Sequence, residues 1–247
     1  MITTIVNAIR RRIPKSVRRT LVRAAAWPPV GSVRFGSFRR LEPFSRDWGF
    51  DRGLPVDRYY MHRFLEARRA DIRGRVLEIG ADTYTRLYGG PKPLRIDVLS
   101  LSSDSPGVTI VGDLATGAGL PREPYDCVLL TGTLQMIFDL PAAVANIYRL
   151  LSPGGVALVT MPGISKISRS EEEGAPYRYE WCATSSSLRR LFEREFPVDE
   201  VEVVAFGNVL AATALLYGLA SEELDRAELD VHDPEFEVLI GLRARRP

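Results

Sequence analysis

Three carboxylates accompany short apolar segments that have the composition of buried strands. They are Glu78, Asp97 and Asp113. Gly80 directly follows the first of these segments, where a turn needs backbone freedom that a Cβ would deny. In an open α/β sheet, nucleotide-like ligands bind just beyond the carboxyl ends of the strands. Carboxylates at such an edge favour a neutral or cationic ligand with hydroxyls and an amine, since a phosphate prefers main-chain amides and a nearby cation.

The elements that must position these carboxylates alternate along the chain. Strands are predicted at residues 76–79, 94–99, 108–114, 125–131 and 156–161, and later at 201–206 and 236–243. Helices are predicted after Asp57, from about residue 85, and at 140–151, 188–196 and 210–219. Alternating strands and helices predict an α/β fold with a doubly wound, mostly parallel sheet. Asp97 then lies 17 residues after Gly80, near the spacing of a ribose-binding acid in a βαβ unit.

Charge divides the chain into a basic arm and an acidic body. Residues 1–40 contain ten of the 33 Lys and Arg residues and no Asp or Glu, which leaves 23 basic and 31 acidic residues in the remainder. We expect residues 1–56 to form a basic helical arm followed by an ordered loop, and residues 57–247 to form the main domain. The arm either contacts an anionic membrane surface or nucleic acid, or packs on its own domain or on a second subunit of a homodimer. Its narrow apolar stripe favours packing.

Composition also indicates the kind of cellular environment that suits the protein. Hydrophobic residues make up 45% of the chain, enough for a sizeable core, and no apolar run approaches the ~20 residues that span a bilayer. Cys127 and Cys182 have neither metal-ligand nor redox-motif spacing, so we expect no metal site. These features predict a soluble, unprocessed protein in the reducing cytoplasm.

Taken together, the motifs and their spacing resemble those of class I S-adenosylmethionine-dependent methyltransferases, over roughly residues 57–245. The matching segments are Val76–Gly80, Asp97, Gly112–Leu114, Tyr125–Val128 and Leu150–Gly155. The resemblance implies a seven-stranded, Rossmann-like sheet with a reversed final hairpin, and S-adenosylmethionine as cofactor. It also implies roles for individual residues. Glu78 and Gly80 would lie near the methionine moiety, Asp97 at the ribose, Asp113 and Leu114 at the adenine, and Thr131 and Gln135 at the methyl-transfer site.

The first motif departs from the family pattern. The family commonly has Gly-x-Gly-x-Gly where this chain has Gly80-Ala81-Asp82-Thr83-Tyr84. Either the side chains of Asp82 and Tyr84 contact the cofactor, or the pocket is altered. Similar variants belong to bacterial methyltransferase-like proteins encoded near glycosyltransferases and natural-product pathways. By this association the acceptor is expected to be a hydroxyl of a sugar or secondary metabolite, and the alternative is an inactive, methyltransferase-like binding or scaffold subunit.

Two other function classes are disfavoured. A nucleic-acid methyltransferase does not suit the acidic body, and no Asn-Pro-Pro-Tyr-type motif follows the fourth strand, where Thr131–Gln135 stands. A dehydrogenase would need a Gly-x-Gly-x-x-Gly fingerprint that the chain lacks.

Methyl transfer is an in-line displacement that needs an aligned acceptor and, for a hydroxyl, removal of a proton. The candidates for this chemistry are His62, Gln135 and Tyr59, with Asp139, Tyr177 and the other histidine, His232, as competitors.

Two further segments have open interpretations. The aromatic residues of the insertion 164–181 either stack on an acceptor ring or form a small core of their own. The segment 51–60 carries two Asp, two Arg and two Tyr, which either touch a ligand or form a salt-bridged cap over the sheet edge.

Overall fold

The computed structural model describes residue 14, residue 17 and residues 27–104, 106–170 and 177–247. The chain divides into two compact units, residues 1–42 and 43–247. The first unit contains a 3₁₀ turn at Gly36–Phe38. The helices predicted for the basic arm lie outside the described residues, and so does the acidic run at 171–173. The second unit begins at Pro43, ahead of the expected boundary at residue 57.

Seven strands of the second unit form one sheet. They are β1 (Gly74–Ile79), β2 (Pro93–Ser100), β3 (Ile110–Val111), β4 (Tyr125–Thr131), β5 (Leu151–Pro162), β8 (Val201–Phe206) and β9 (Leu239–Arg245). The strand order is β3-β2-β1-β4-β5-β9-β8. The first five strands are parallel, and β9 is antiparallel to both of its neighbours. A separate pair, β6 (Arg169–Ser170) and β7 (Tyr177–Arg178), is antiparallel. The predicted fold class is confirmed, including the reversed final hairpin.

Helices cover both faces of this sheet. They are α1 (Val56–Ala67), α2 (Leu140–Leu150), α3 (Ser185–Phe192), α4 (Val209–Tyr217) and α5 (Arg226–Leu229). Helices α2 and α3 contribute to one buried cluster, and α1, α4 and α5 contribute to the cluster on the opposite face. Capping sets where two of them begin, since Asp139 accepts a hydrogen bond from the Ala142 amide at 3.1 Å and Asn208 accepts one from the Ala211 amide at 3.0 Å. No helix among the described residues is both long and apolar enough to span a bilayer.

The crossover between β1 and β2 differs from the prediction. A helix was expected from about residue 85, but Thr85–Gly89 forms a single π-helical turn. The sequence around Gly89 explains why the helix stops there. Gly90 has φ +58°, and a Cβ on Gly89 would lie 2.6 Å from Cγ of Pro93, so the chain turns tightly into β2. The third strand is also shorter than predicted.

Candidate functional site

Because the strand order reverses between β1 and β4, the sheet has its topological switch point there. Gly80 follows β1 with φ +87° and Gly132 follows β4 with φ +62°, so both turns use left-handed glycine conformations. A Cβ built on Gly80 would meet no atom within 4 Å. The space next to Gly80, beyond the carboxyl end of β1, is therefore open to a ligand.

Glu78 faces this edge, but its carboxylate is hydrogen-bonded to backbone amides of the same chain. Its residue is 2% exposed, and its carboxylate accepts hydrogen bonds from the amides of Tyr84 at 3.0 Å and Thr85 at 2.7 Å. Burial raises the pKa of Glu78, although these hydrogen bonds oppose the shift. The carboxylate thus holds the crossover turn against the end of β1.

The two residues that break the glycine pattern are also held by internal contacts. Asp82 accepts a hydrogen bond from Nε of Arg86 at 2.6 Å. Tyr84 is half-buried, and its ring meets the ring of His62 edge to face, with 5.8 Å between the ring centroids. These contacts hold both side chains within the turn, and the choice between cofactor contact and an altered pocket stays a prediction.

Asp97 lies within β2 rather than at its carboxyl end. It stands three residues before the end of β2, pairs in register with Leu77, and is 3% exposed. Oδ2 accepts hydrogen bonds from the Tyr125 hydroxyl at 3.0 Å and from Nε and Nη2 of Arg75 at 3.2 Å. Arg75 and Tyr125 lie at the amino ends of β1 and β4, so this carboxylate points away from the switch point.

The pKa shifts of Asp97 and Tyr125 fit this structural role. Burial alone would raise the pKa of Asp97, but hydrogen bonds from Tyr125 and Arg75, helped by the charge of Arg95, outweigh it and lower the pKa. Burial and the neighbouring carboxylate raise the pKa of Tyr125 to about 12, which keeps its hydroxyl a donor. The 17-residue spacing cannot tell the middle of a strand from its end, and these contacts give Asp97 a structural role, so its assignment to the ribose stays an untested prediction.

Asp113 and Leu114 lie in the turn after β3. The Asp113 carboxylate accepts hydrogen bonds from the Ala115 amide at 2.7 Å and the Thr116 hydroxyl at 2.9 Å, so its orientation is fixed. The Leu114 side chain is buried, and its carbonyl accepts a hydrogen bond from Nδ2 of Asn146 at 2.7 Å. Their assignment to the adenine stays a prediction.

The turn after β4 contains a polar side chain with an unused atom. Gln135 is 3% exposed and donates a hydrogen bond from Nε2 to the carbonyl of Gly132 at 2.7 Å. Its Oε1 is buried and has no hydrogen-bond partner among the described residues. An orphaned buried acceptor costs free energy unless a ligand supplies a donor. Thr131, half-buried at the end of β4, lies beside this turn.

A strap at residues 178–181 is fastened to the same turn. The carbonyl of Gln135 accepts hydrogen bonds from the amides of Glu180 at 2.7 Å and Trp181 at 3.2 Å. The indole of Trp181 donates to the carbonyl of Ile137 at 3.1 Å and stacks at a tilt on Phe138, 5.8 Å between centroids. The strap therefore follows the turn, and its aromatic side chains lie next to Gln135.

The other two catalytic candidates, His62 and Tyr59, lie on α1 and are bonded elsewhere. His62 Nδ1 makes a short hydrogen bond with the Tyr88 hydroxyl, and burial followed by the charge of Arg58 lowers the pKa of His62. The Tyr59 hydroxyl donates to Asp230 at 2.9 Å. Both residues line a surface cleft of about 470 Å³ together with Tyr88 rather than the turn after β4.

The competing candidates also have other environments. Asp139 caps α2, as described above, and His232 is exposed in the loop before β9. The side chain of Tyr177 lies outside the described part of the chain. Sequence reasoning gave no single role to Tyr179 or Arg58; only their membership of the aromatic and charged segments marked them.

Comparisons with known proteins agree with this geometry. The profile of a family described as methyltransferase domain matches residues 48–195. The chain therefore belongs to the methyltransferase-domain family, and its sheet has the class I arrangement. No sequence among the curated proteins matches the chain.

Solved structures share the fold at low sequence identity. The DhpI–SAH complex is 16% identical with a TM-score of 0.51, over 78% of this chain and 87% of that chain. A phosphoethanolamine N-methyltransferase 2 of Haemonchus contortus, in complex with phosphomonomethylethanolamine and S-adenosylhomocysteine, is 18% identical with a TM-score of 0.51, over 81% of this chain and 56% of that chain. A putative S-adenosylmethionine-dependent methyltransferase from Listeria monocytogenes is 12% identical with a TM-score of 0.50, over 78% and 97% of the two chains.

Proposed function

We propose that the protein transfers a methyl group from S-adenosylmethionine to a hydroxyl of a small molecule, a sugar or secondary metabolite. The observation that carries this proposal is the unpartnered, buried Oε1 of Gln135 at the switch point. A methyl acceptor with an O–H group would donate to this oxygen and keep a lone pair free for attack on the methyl group, and its proton would pass to solvent water as the ether forms. The proposal gives Gln135 the role of aligning the acceptor.

The open edge of the sheet fits the cofactor. The space over Gly80 admits backbone approach, and the fixed carboxylate of Asp113 still has lone pairs for an amine such as that of adenine. We assign Gly80, Asp113, Leu114 and Thr131 to cofactor binding, and Glu78 to support of the turn. When bound, the cofactor supplies an activated methyl group on a sulfonium.

The strap suits an acceptor with a ring. Trp181 is 38% exposed and Phe138 is 74% exposed, so this aromatic pair offers apolar surface beside Gln135. Sugar rings and aromatic metabolites pack on such surfaces.

Calorimetry with S-adenosylmethionine and S-adenosylhomocysteine tests the cofactor assignment first. Incubation with a metabolite extract and labelled cofactor, followed by mass spectrometry, then finds the acceptor by its gain of one CH₂ mass. NMR of the product assigns the new methyl group to oxygen or to nitrogen. Saturable binding with an O-methylated product supports the proposal. Binding of neither ligand overturns it in favour of a catalytically inactive binding subunit, and an N-methylated product overturns the hydroxyl assignment.

A further inference from the structure

The first turn of α1 contains an ion pair to which the site described above gives no role. Nη1 of Arg58 lies 3.2 Å from Oδ2 of Asp57, and the two side chains are 31% and 17% exposed. Pro55 occupies the N-cap position of α1, and Asp57 Oδ1 accepts a hydrogen bond from the Arg58 amide at 2.8 Å. Among the described residues, Asp57 is the only carboxylate within ion-pair distance of Arg58.

The direction of the pair follows from helix geometry. Arg58 and His62 are four residues apart, so they share one face of α1. The His62 ring lies against Tyr84 and Tyr88 of the β1–β2 crossover, with centroid distances of 5.8 and 5.9 Å. Arg58 lies one turn from His62 towards the start of α1, on the helix face that packs against this crossover.

Charge effects on three different elements agree with this position. After burial, the Arg58 charge is the next cause that lowers the pKa of His62 on α1. The same charge opposes the burial-driven rise in the pKa of Tyr84 on the crossover. It acts in the same sense on Tyr179 of the strap, whose pKa is raised by burial and lowered by a hydrogen bond with Gln135. These effects agree with an Arg58 side chain on the face of α1 that packs on the crossover, where its guanidinium also lies over the Phe50 ring, 5.9 Å from the centroid.

An adjacent guanidinium and carboxylate are complementary to an α-amino acid. Arg binds a carboxylate through two parallel hydrogen bonds, and an Asp carboxylate accepts hydrogen bonds from an ammonium group. The neighbouring turn leaves this task open, because Glu78 is 2% exposed with both oxygens bonded to backbone amides, and Asp82 is paired with Arg86.

We propose that Arg58 and Asp57 bind the carboxylate and the ammonium group at the amino-acid end of the cofactor. This inference depends on the proposed function, because it takes S-adenosylmethionine as the ligand. The ion pair then performs the recognition that the altered glycine motif does not provide.

The test compares two ligands that differ at that end. S-adenosylhomocysteine carries the amino-acid group, whereas 5′-methylthioadenosine keeps the adenosine and the thioether and lacks it. We expect Arg58→Gln to lower the affinity for S-adenosylhomocysteine about tenfold or more, which is the scale of a lost charge-assisted hydrogen bond. The affinity for 5′-methylthioadenosine should stay unchanged in calorimetry. Arg58→Lys should retain part of the preference, and Asp57→Asn should reduce it.

Arg63→Gln is the matched control on the same helix, because Arg63 pairs with Asp230. It should change the affinity for neither ligand. Equal losses for both ligands in Arg58→Gln, or an unchanged affinity for S-adenosylhomocysteine, would overturn the inference. Should Arg58→Gln fail the thermal unfolding check, the ratio of the two affinities in Arg58→Lys decides instead. A parent protein that binds neither ligand contradicts the proposed function, whereas a parent that binds both equally contradicts only this inference.

Discussion

The turns that follow β1 and β4 lie side by side at the switch point, and they use their polar atoms in opposite ways. After β1, the Glu78 carboxylate is satisfied by the Tyr84 and Thr85 amides, and Asp82 is paired with Arg86. After β4, Gln135 uses its amide nitrogen for Gly132 and keeps Oε1 buried without a partner. The carboxylates of the first turn are satisfied within the chain, although Thr85 Oγ1 is buried there without a partner, whereas the second turn leaves an amide oxygen unpartnered among the described residues.

This difference shows that two residues of similar size and polarity can have different roles. Both turns contain a buried polar side chain of similar length, but only the hydrogen-bond count shows which of them still has capacity for a ligand. In the β1–β2 part of the edge the carboxylates stabilise the fold, and recognition falls to backbone and to neighbouring elements.

The largest expected effect tests whether Asp97 belongs to the fold. Asp97→Asn removes the charge that faces Arg75, whose side chain is 18% exposed, so we expect a loss of about 3 kcal/mol in the free energy of unfolding. Urea unfolding measures it, and calorimetry should show unchanged affinity for S-adenosylhomocysteine. Glu123→Gln, which removes the exposed partner of Arg75, is the control and should cost less than about 1 kcal/mol. A stable Asp97→Asn protein with weak binding would return Asp97 to the ribose site.

The next largest effect is expected at Glu78, whose carboxylate accepts two hydrogen bonds in the first turn. Glu78→Gln presents one oxygen and one NH₂ group to two donating amides, so we expect about 1–3 kcal/mol lower stability. Because burial raises the pKa of Glu78, the native state binds its proton more tightly than the unfolded state. The parent's stability should therefore fall as pH rises above 4.5, the ordinary value, through the raised pKa, and this part of the slope should vanish in the variant. An unchanged slope in urea unfolding would mean that Glu78 is solvated.

A smaller change in stability, with a large change in function, is expected at the second turn. Gln135→Met removes the orphaned oxygen along with the hydrogen bond to Gly132, and these effects of about 1 kcal/mol each offset one another. Thermal unfolding should be nearly unchanged, while formation of the methylated product falls. Met136→Leu, at a 39% exposed neighbour, is the control. Normal turnover by Gln135→Met would show that its oxygen does not meet the acceptor.

The smallest effect is the pH dependence from His62. Burial lowers its pKa, so the unfolded state binds a proton more readily, and stability should decline as pH falls below 6.5 towards the native pKa. His62→Gln should flatten this part of the curve in urea unfolding. His232→Gln, at an exposed histidine, should leave it as in the parent. A slope that persists in His62→Gln would assign the titration to another group.

Sequence patterns predicted the sheet well because apolar periodicity reports burial directly. The bounds of β4 and β8 agree residue by residue with the expectation, and α2 differs by one residue. Three features could not be predicted. The π-helical turn depends on contact between Gly89 and Pro93, the orientation of Asp97 depends on register with Arg75, and the orphaned oxygen of Gln135 depends on the whole surrounding packing.

Two backbone hydrogen bonds attach the strap to the main-chain carbonyl of residue 135, in addition to the hydrogen bond between Tyr179 and the Gln135 side chain. Backbone hydrogen bonds to the carbonyl of that residue persist whatever amino acid occupies the position. If Gln135 aligns the acceptor as proposed, its side chain can therefore be exchanged while the strap keeps its two backbone hydrogen bonds. Single substitutions at this position would then change which acceptor is methylated, and the strap would not have to move first.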